Sequence, residues 1–576
     1  MVISYARFRE APGVSHKKVK VKSQNLEEAK LIARDFNLNL VTARILAARG
    51  YKSDLKLKNF IQPTLKEGLP SPKDLLNLDK AAKLIAKTAE AGKSIAICCD
   101  FDVDGLSGAA QVQHFFASQK ISSRVFVPNR FKDGYGLNTA MVEEIAREKF
   151  SLLLTIDYGT SNISELKLAR KLGLKTIVMD HHHVAEVPPA DIFINPQQKG
   201  CGFADGILCA AGLAWYLILQ LRTALKSAKD TDPKLYLDLA CLGTICDMVP
   251  LIDTNRVIAR RGLELLSKTE RPGLLALKEV IGSKNVMSCT DVSFGIGPRL
   301  NAAGRMLSGD LVIELLAGSD SIAAKKIAKQ LNKLNAERQE AEKKVKADVI
   351  KQVEGMGTIP AAIVVWDSEF HTGVIGIVAQ RLVELFYRPA VVMGADEDGC
   401  YKGSVRGIKD FSVVDALAAV SEHLEKFGGH AGAGGFSVKK ENVDAFAGAF
   451  VDECRKRLKE IDTKQYAEAD SEADLADIDM ALVEELKNFA PCGIGNPNPS
   501  LLVRNLTVAS VKVLKKTHLK VVFKSGRKIM SGLMWGHASH PDISAGAKVN
   551  AVVRPGLNEY NGRTEIQLTV QAVEAV

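Results

Sequence analysis

Six aspartates and a run of histidines stand where apolar segments of this 576-residue chain end. Asp100, Asp102 and Asp104 lie in SIAICCDFDVDG, and Asp157 closes LLLTID. Asp180 precedes His181, His182 and His183 in TIVMDHHH, and Asp247 ends LACLGTICD. Carboxylates at alternate positions of an extended segment point to one side, and Gly105 then lets the chain turn. In an open α/β sheet, groups at the carboxyl ends of neighbouring strands converge on one crevice. Gathered like charges repel one another unless cations neutralise them. Oxygen ligands with a little imidazole suit Mg2+ or Mn2+ better than zinc. The competing reading, that each aspartate caps the helix after its strand, accounts for one such residue more easily than for the set.

These motifs resemble the DHH phosphoesterase superfamily, named for the tripeptide Asp180-His181-His182. Within it they are similar to the RecJ single-strand-specific exonucleases. The resemblance is carried by NRFKDGYGL (129–137), GPRLNAAGR (297–305), HTGVIGIVAQRLVE (371–384), FGGHAGAGGF (427–436) and PCGIGNPNP (491–499), which follow in the family's order. It implies two divalent cations, Mn2+ or Mg2+, held by Asp100, Asp102, Asp104, Asp157, His181 and Asp247, with Asp157 and Asp247 as bridges. It further implies that Asp180 orients a histidine, that His182 protonates the leaving oxygen or polarises the phosphoryl group, and that Arg299 holds the scissile phosphate or a neighbouring one. The substrate contacts it implies are Arg130, Asn301, Arg305, His371, Ser404, Arg406, Gly429 and His430. Among them Arg130, Ser404 and Arg406 would form a pocket for a terminal 5′-phosphate, which a guanidinium can grip bidentately. The segment Gly403-Ser404-Val405-Arg406-Gly407 departs from the family pattern, since Val405 and Gly407 replace residues that are usually smaller or more polar. His183 extends the usual histidine pair and is given no role.

The elements that must position these residues are legible from periodicity. Short apolar runs (SIAICC, SRVFV, SLLLTI, TIVM, DIFIN) alternate with helical stretches, which implies βαβ units and a mainly parallel sheet. Residues 205–320 read as mostly helical. Ile327, Leu331, Leu334, Ala341, Val345 and Val349 recur at helical steps, so one long amphipathic helix is expected over 321–353. AAIVVWD and PAVVMG read as strands of a second α/β lobe. The acidic segment 467–479 reads as a connector. Beyond it HLKVVFKS, KIMSGLMWG, KVNAVVRP and TEIQLTV alternate like a small OB-type barrel, in which Phe523 and Trp535 could stack bases. The basic arm HKKVKVK reads either as a solvated packing extension or as a grip on DNA. The expected fold class is α/β: a mainly parallel-sheet DHH domain, a second α/β lobe joined by a long helix, and a C-terminal OB-like β-barrel. The expected divisions are an extension (1–80), the DHH catalytic domain (81–320), the connecting helix (321–355), a DHH-associated substrate-binding domain (356–460) and the OB-like domain (461–576).

A hydrophobic fraction of 46% with 25% charged residues is ordinary for a globular protein. No apolar run approaches the ~20 residues of a membrane span, and the N-terminus has no apolar signal core. The ten cysteines are scattered without zinc or disulfide spacing, so a reducing cytoplasm is expected. The net charge of +10 favours a polyanionic partner. The expected function is therefore a metal-dependent 5′-to-3′ exonuclease of single-stranded DNA in repair and recombination. Its partners would be single-stranded DNA and, by resemblance, a single-strand-binding protein and a helicase, and the protein would be a monomer. The alternatives are a DHH phosphodiesterase for short oligonucleotides or cyclic dinucleotides, and a catalytically inactive DNA-binding scaffold.

Overall fold

The computed structural model describes residues 17–129, 136–283, 286–396, 399–560 and 562–576. The chain divides into two compact units, one of Asp54–Ala336 with Asn488–Asn498, the other of Met1–Ser53, Glu337–Lys487 and Pro499–Val576.

The first unit is built on a five-stranded parallel sheet in the order Ser123–Phe126, Ile95–Cys99, Leu152–Ile156, Lys175–Met179, Ile192–Ile194. Ile95–Cys99 and Leu152–Ile156 are buried at every position, as continuous apolar runs in a sheet covered on both faces should be. The helices Val103–Ser118, Ala210–Ala224 and Leu237–Cys246 pack against one another in its core. Arg256 ties Asn488–Asn498 to this unit. Its fully buried guanidinium donates to the carbonyls of Phe60, Asn488, Phe489, Ala490 and Pro491. The PCGIGNPNP motif therefore belongs with the catalytic-type sheet, although it lies in sequence beside the barrel.

The expected long helix runs from Ser321 to Gly355. Ala324, Ile327, Ala328 and Leu331 join the first unit's core, and Val345, Val349 and Val353 join that of the second.

In the second unit a mixed sheet runs Lys426–His430, Ala433–Val438, Tyr401–Arg406, Ala390–Ala395, Ile363–Asp367, with only the last pair parallel. The strands Leu501–Leu514, His518–Ser525, Lys528–Met534, Arg563–Ala575 and Lys548–Tyr560 pair in that order, and the last pairs back to the first, closing a five-stranded barrel. Closure removes both sheet edges. Phe523 points into the barrel and is fully buried, which rules out a stacking role, whereas Trp535 is 56% exposed beside His518.

Two sequence expectations change here. The acidic connector forms the strands Tyr466–Ala469 and Ser471–Glu472, and the basic arm forms the strand Lys18–Val21, parallel to Tyr466–Ala469. Both segments alternate polar and small apolar residues, and their opposite charges meet: Lys20 pairs with Glu468 at 3.2 Å. Between the two acidic strands Asp470 is 1% exposed and accepts from Arg49 at 2.7 and 3.0 Å and from Lys22 at 2.8 Å. No helix among the described residues is long and apolar enough to cross a membrane.

Candidate active site

The hydrogen-bond ladder of the parallel sheet continues one residue past each strand and so sets three carboxylates in a row. The amide of Asp100 donates to the Ile156 carbonyl, that of Asp157 to Met179 and that of Asp180 to Ile194. Asp157 holds φ 72°, a left-handed conformation unusual for a non-glycine residue and concentrated at functional sites. Asp102 caps the helix Val103–Ser118, accepting from the amides of Asp104 and Gly105. The capping reading thus holds for Asp102, and capping turns Asp104 inward. Both Asp104 oxygens accept backbone N–H groups at the start of the helix Ala210–Ala224, from Ala210 at 2.7 Å and Ala211 at 2.8 Å. Asp247 is the C-cap of the buried helix Leu237–Cys246, so it reaches the group from a helix end and not from a strand.

These elements meet at His181. Its Nε2 lies 3.1 Å from Asp157, 3.6 Å from Asp247 and 3.7 Å from Asp104. Ligand atoms of Asp104, His181 and Asp247 fall within 4.8 Å of one another, as do those of Asp100, Asp102 and Asp157 and those of Asp157, His181 and His182. Asp100, Asp104, Asp157 and Asp180 are each no more than 4% exposed.

The electrostatics fit a cationic occupant. Burial and the charges of Asp104, Asp102, Asp100 and Asp247 push the Asp157 carboxyl well above its ordinary value. Burial and the same three neighbours raise Asp247 to about 9. Burial raises Asp104 too, outweighing His181 and the helix amides. Asp180 differs. Burial pushes it up, but hydrogen bonds from His182 and Thr160 hold it below the carboxylate range. It accepts from His182 Nδ1 at 2.7 Å and from the Thr160 amide at 3.1 Å, so the expected orientation of a histidine falls on His182. Burial lowers His181, and Asp104 opposes that shift only in part, which suits a neutral imidazole ligand. For His182 the burial penalty is outweighed by Asp180, and the ring is raised.

The helix Gly297–Met306 brings further predicted residues to the same place. Asn301 Oδ1 accepts from the Val103 amide at 3.2 Å, at the first turn after Asp102. Arg299 donates to the Gly295 carbonyl at 2.7 Å and to Asn332 Oδ1 at 3.0 Å, and Arg305 lies half-buried further along the same helix. Arg130 lies outside the described residues.

The remaining predicted contacts are in the other unit. Ser404 and Arg406 share one face of the strand Tyr401–Arg406, with Arg406 Nη1 donating to Ser404 Oγ at 2.9 Å. A Cβ at Gly376 would stand 2.9 Å from the Arg406 guanidinium and 3.0 Å from Ser404 Oγ, so glycine is what lets the helix Ile375–Phe386 approach them. His430 and Arg406 both pair with Ala433, which sets them in one row across the sheet. Gly429, at φ 146°, pairs with Gly434 beside them. His371 is exposed and accepts its own loop's Gly373 amide. Val405 is fully buried, on the opposite face of the strand from Arg406, so this departure from the family pattern falls in the core.

With this geometry in view, three family models match the chain: the DHH family N-terminal domain over residues 94–244, the DHHA1 domain over 358–456 and the RecJ OB domain over 469–572. The single-stranded-DNA-specific exonuclease RecJ of Bacillus subtilis is 33% identical over 95% of this chain and 69% of its own length. That of Haemophilus influenzae is 31% identical over 89% of this chain and 93% of its own. The chain belongs to the RecJ family. The crystal structure of RecJ from Thermus thermophilus in complex with Mn2+ superposes with a TM-score of 0.84 at 26% identity, covering 97% of this chain and 79% of that one.

Several residues of this RecJ-family site escaped sequence reasoning. Asn195, which ends the strand run DIFIN, donates to the His182 carbonyl at 2.9 Å, and Gln197 donates to the His181 carbonyl. Asn195 carried the same signal as the aspartates, a polar residue closing an apolar run. Gly243 carried none. A Cβ there would stand 2.3 Å from Asp104 and 2.4 Å from Ala211, so only glycine allows the two helices to close on that carboxylate.

Proposed function

We propose that this protein is a metal-dependent exonuclease that hydrolyses single-stranded DNA from its 5′ end, in DNA repair and recombination. The observation that carries the reading is that Asp104, Asp157 and Asp247 converge on His181 while Asp100 and Asp102 meet Asp157, with burial and then neighbouring carboxylates raising both Asp157 and Asp247. Such a donor set fits divalent cations, Mn2+ or Mg2+, held by these six residues with Asp157 and Asp247 shared. When bound there, two such cations would supply charge neutralisation at the phosphoryl oxygens and a bound water of lowered pKa. The protein supplies the rest. Asp180 fixes the tautomer of His182 through Nδ1, so proton transfer to the leaving oxygen falls to Nε2 of a ring held above its usual basicity. Arg299, steadied by Gly295 and Asn332, holds the scissile phosphate or a neighbouring one. Asn301 and Arg305 extend that grip on the same helix. Arg406 and Ser404 take the terminal 5′-phosphate, and Gly429, His430 and His371 contact the strand's backbone.

The reading divides the chain into an N-terminal extension (1–80), a DHH catalytic domain (81–320), the connecting helix (321–355), a substrate-binding domain (356–460) and an OB-like domain (461–576) that holds the strand. It places the protein in the cytoplasm as a monomer, with a single-strand-binding protein and a helicase as partners. One oligonucleotide labelled separately at each end, incubated with Mn2+ or Mg2+ and sampled early, tests it. Single strands should shorten from the 5′ end while blunt duplex persists. Early products shortened from the 3′ end would overturn the polarity.

A further inference from the structure

Phe294 is the most exposed aromatic side chain among the described residues, at 76%. It lies in a single stretch of π-helix, Asp291–Ile296, that runs directly into the helix carrying Arg299, Asn301 and Arg305. Its neighbours Val292 and Ile296 are buried, so the segment is anchored by its apolar side and presents Phe294 to solvent. That position in an amphipathic helix ordinarily carries a polar residue, because an exposed ring gains nothing from packing. π-Helical turns are rare and cluster at functional sites.

The segment is tied to the acidic group. It packs on the helix Leu237–Cys246, whose C-cap is Asp247. A Cβ at Gly297, three residues after Phe294, would stand 2.6 Å from the sulfur of Cys246, the residue before Asp247. Positive charge lies alongside. Arg299 is held by the Gly295 carbonyl within the π-turn and by Asn332 of the long helix, and exposed Lys329 shares the helix face of Asn332. An exposed ring beside cations that can hold phosphate is the arrangement by which proteins track a single strand, with bases stacked on aromatics and the backbone on charge.

We infer that Phe294 is a base-stacking residue: its ring receives one nucleobase of the bound strand and fixes the register in which the phosphodiester reaches the acidic site. The inference rests on the exonuclease reading above. A stacked base cannot be supplied by a duplex, whose bases are paired, or by an abasic nucleotide, which has none.

The test walks one abasic nucleotide along a single strand from its 5′ end and measures hydrolysis by the full-length protein, by Phe294→Ala and by Phe294→Trp. In the wild type one position should slow cleavage about tenfold, within the range that base–aromatic stacking supports. Phe294→Ala should cut the intact strand about tenfold more slowly and lose the abasic dependence, and Phe294→Trp should restore both. Since Phe294 is 76% exposed, the thermal midpoint of Phe294→Ala should stay close to the wild type. A 2-aminopurine at the sensitive position, with the cations chelated, should be quenched by the wild type and not by Phe294→Ala. Wild-type cleavage with the same abasic profile and quenching in Phe294→Ala removes the stacking role and leaves the exonuclease reading intact. A wild type that cuts no single strand with Mn2+ present overturns both.

Discussion

The two groups of predicted residues are built in opposite ways. In the unit that holds the acidic cluster, each carboxylate is fixed by backbone N–H groups, by a helix start or by a histidine, and most are buried. In the other unit Arg406, Ser404 and His430 lie on a sheet face, held by strand register and by bonds from Arg406 to Ser404 and to the Val405 carbonyl and from the Gly432 amide to His430. The first arrangement stores repulsion that is relieved by bound cations or, in the metal-free protein, by protons. The second waits for an anion and stores none. Chemistry needs groups that cannot relax away from one another, whereas selecting a substrate end needs groups that can be reached.

The largest break in this contrast should come from removing a carboxylate that the proposed cations would share. Asp157→Ala or Asp247→Ala should lower hydrolysis with Mn2+ by about a thousandfold or more, the scale on which loss of a preorganised charged group acts. Near-wild-type cleavage of labelled single strands by either variant would sink the metal assignment. Substrate binding, followed by fluorescence anisotropy, should persist.

The other unit has its own buried charge. Asp470→Asn strands Arg49, whose side chain is 6% exposed, and should cost about 3 kcal/mol, the low end for leaving a buried ion without its partner. Chemical denaturation would register it.

The two units should also respond to pH with opposite sign. Asp247, raised to about 9, binds its proton more readily when folded. What it contributes to the metal-free protein is complete below its unfolded pKa of ~4 and is lost as the pH rises towards 9. Asp470 feels burial first, but Arg49 and Lys22 pull it below the ordinary range. Its contribution is present above an unfolded pKa of ~4 and is lost as the pH falls through the depressed value. Metal-free wild type should therefore lose stability towards alkali in a way that Asp247→Asn flattens and added Mn2+ reverses. Asp470→Asn should flatten the acid side instead. Calorimetry from pH 3 to pH 9 separates the two, and matching slopes in both variants would refute the contrast.

Arg406→Ala should abolish preference for a 5′-phosphorylated strand over one ending in 5′-hydroxyl, about tenfold for a charge-assisted bond. An unchanged ratio would remove the pocket and spare the chemistry. The smallest effect belongs to the barrel. Trp535→Ala should weaken binding of long strands about fivefold, the low end for one stacked base, and leave very short ones unaffected. Equal loss on both lengths would make Trp535 structural.

Much of the acidic site was legible because strands end where apolar runs end, so Asp100, Asp157 and Asp180 announced both their strands and their common edge. The long helix was equally legible, since its apolar stripe persists without breakers from Ile327 to Val349. The barrel strands showed as alternation, but alternation does not say which face is inward, and Phe523 and Trp535 were separated only by closure of the barrel.

Local sequence determined the element types, the residues capable of holding cations and the family, because periodicity, capping and motif order act over a few residues. Tertiary structure alone decided which contacts join distant segments. It sent the loop after Lys487 back to the first unit through Arg256, and it paired the basic strand Lys18–Val21 with the acidic strand Tyr466–Ala469. It also closed two helices on Asp104 over Gly243 and left Phe294 standing in solvent. Each of these depends on free energy shared between residues far apart in the chain, which no local pattern carries.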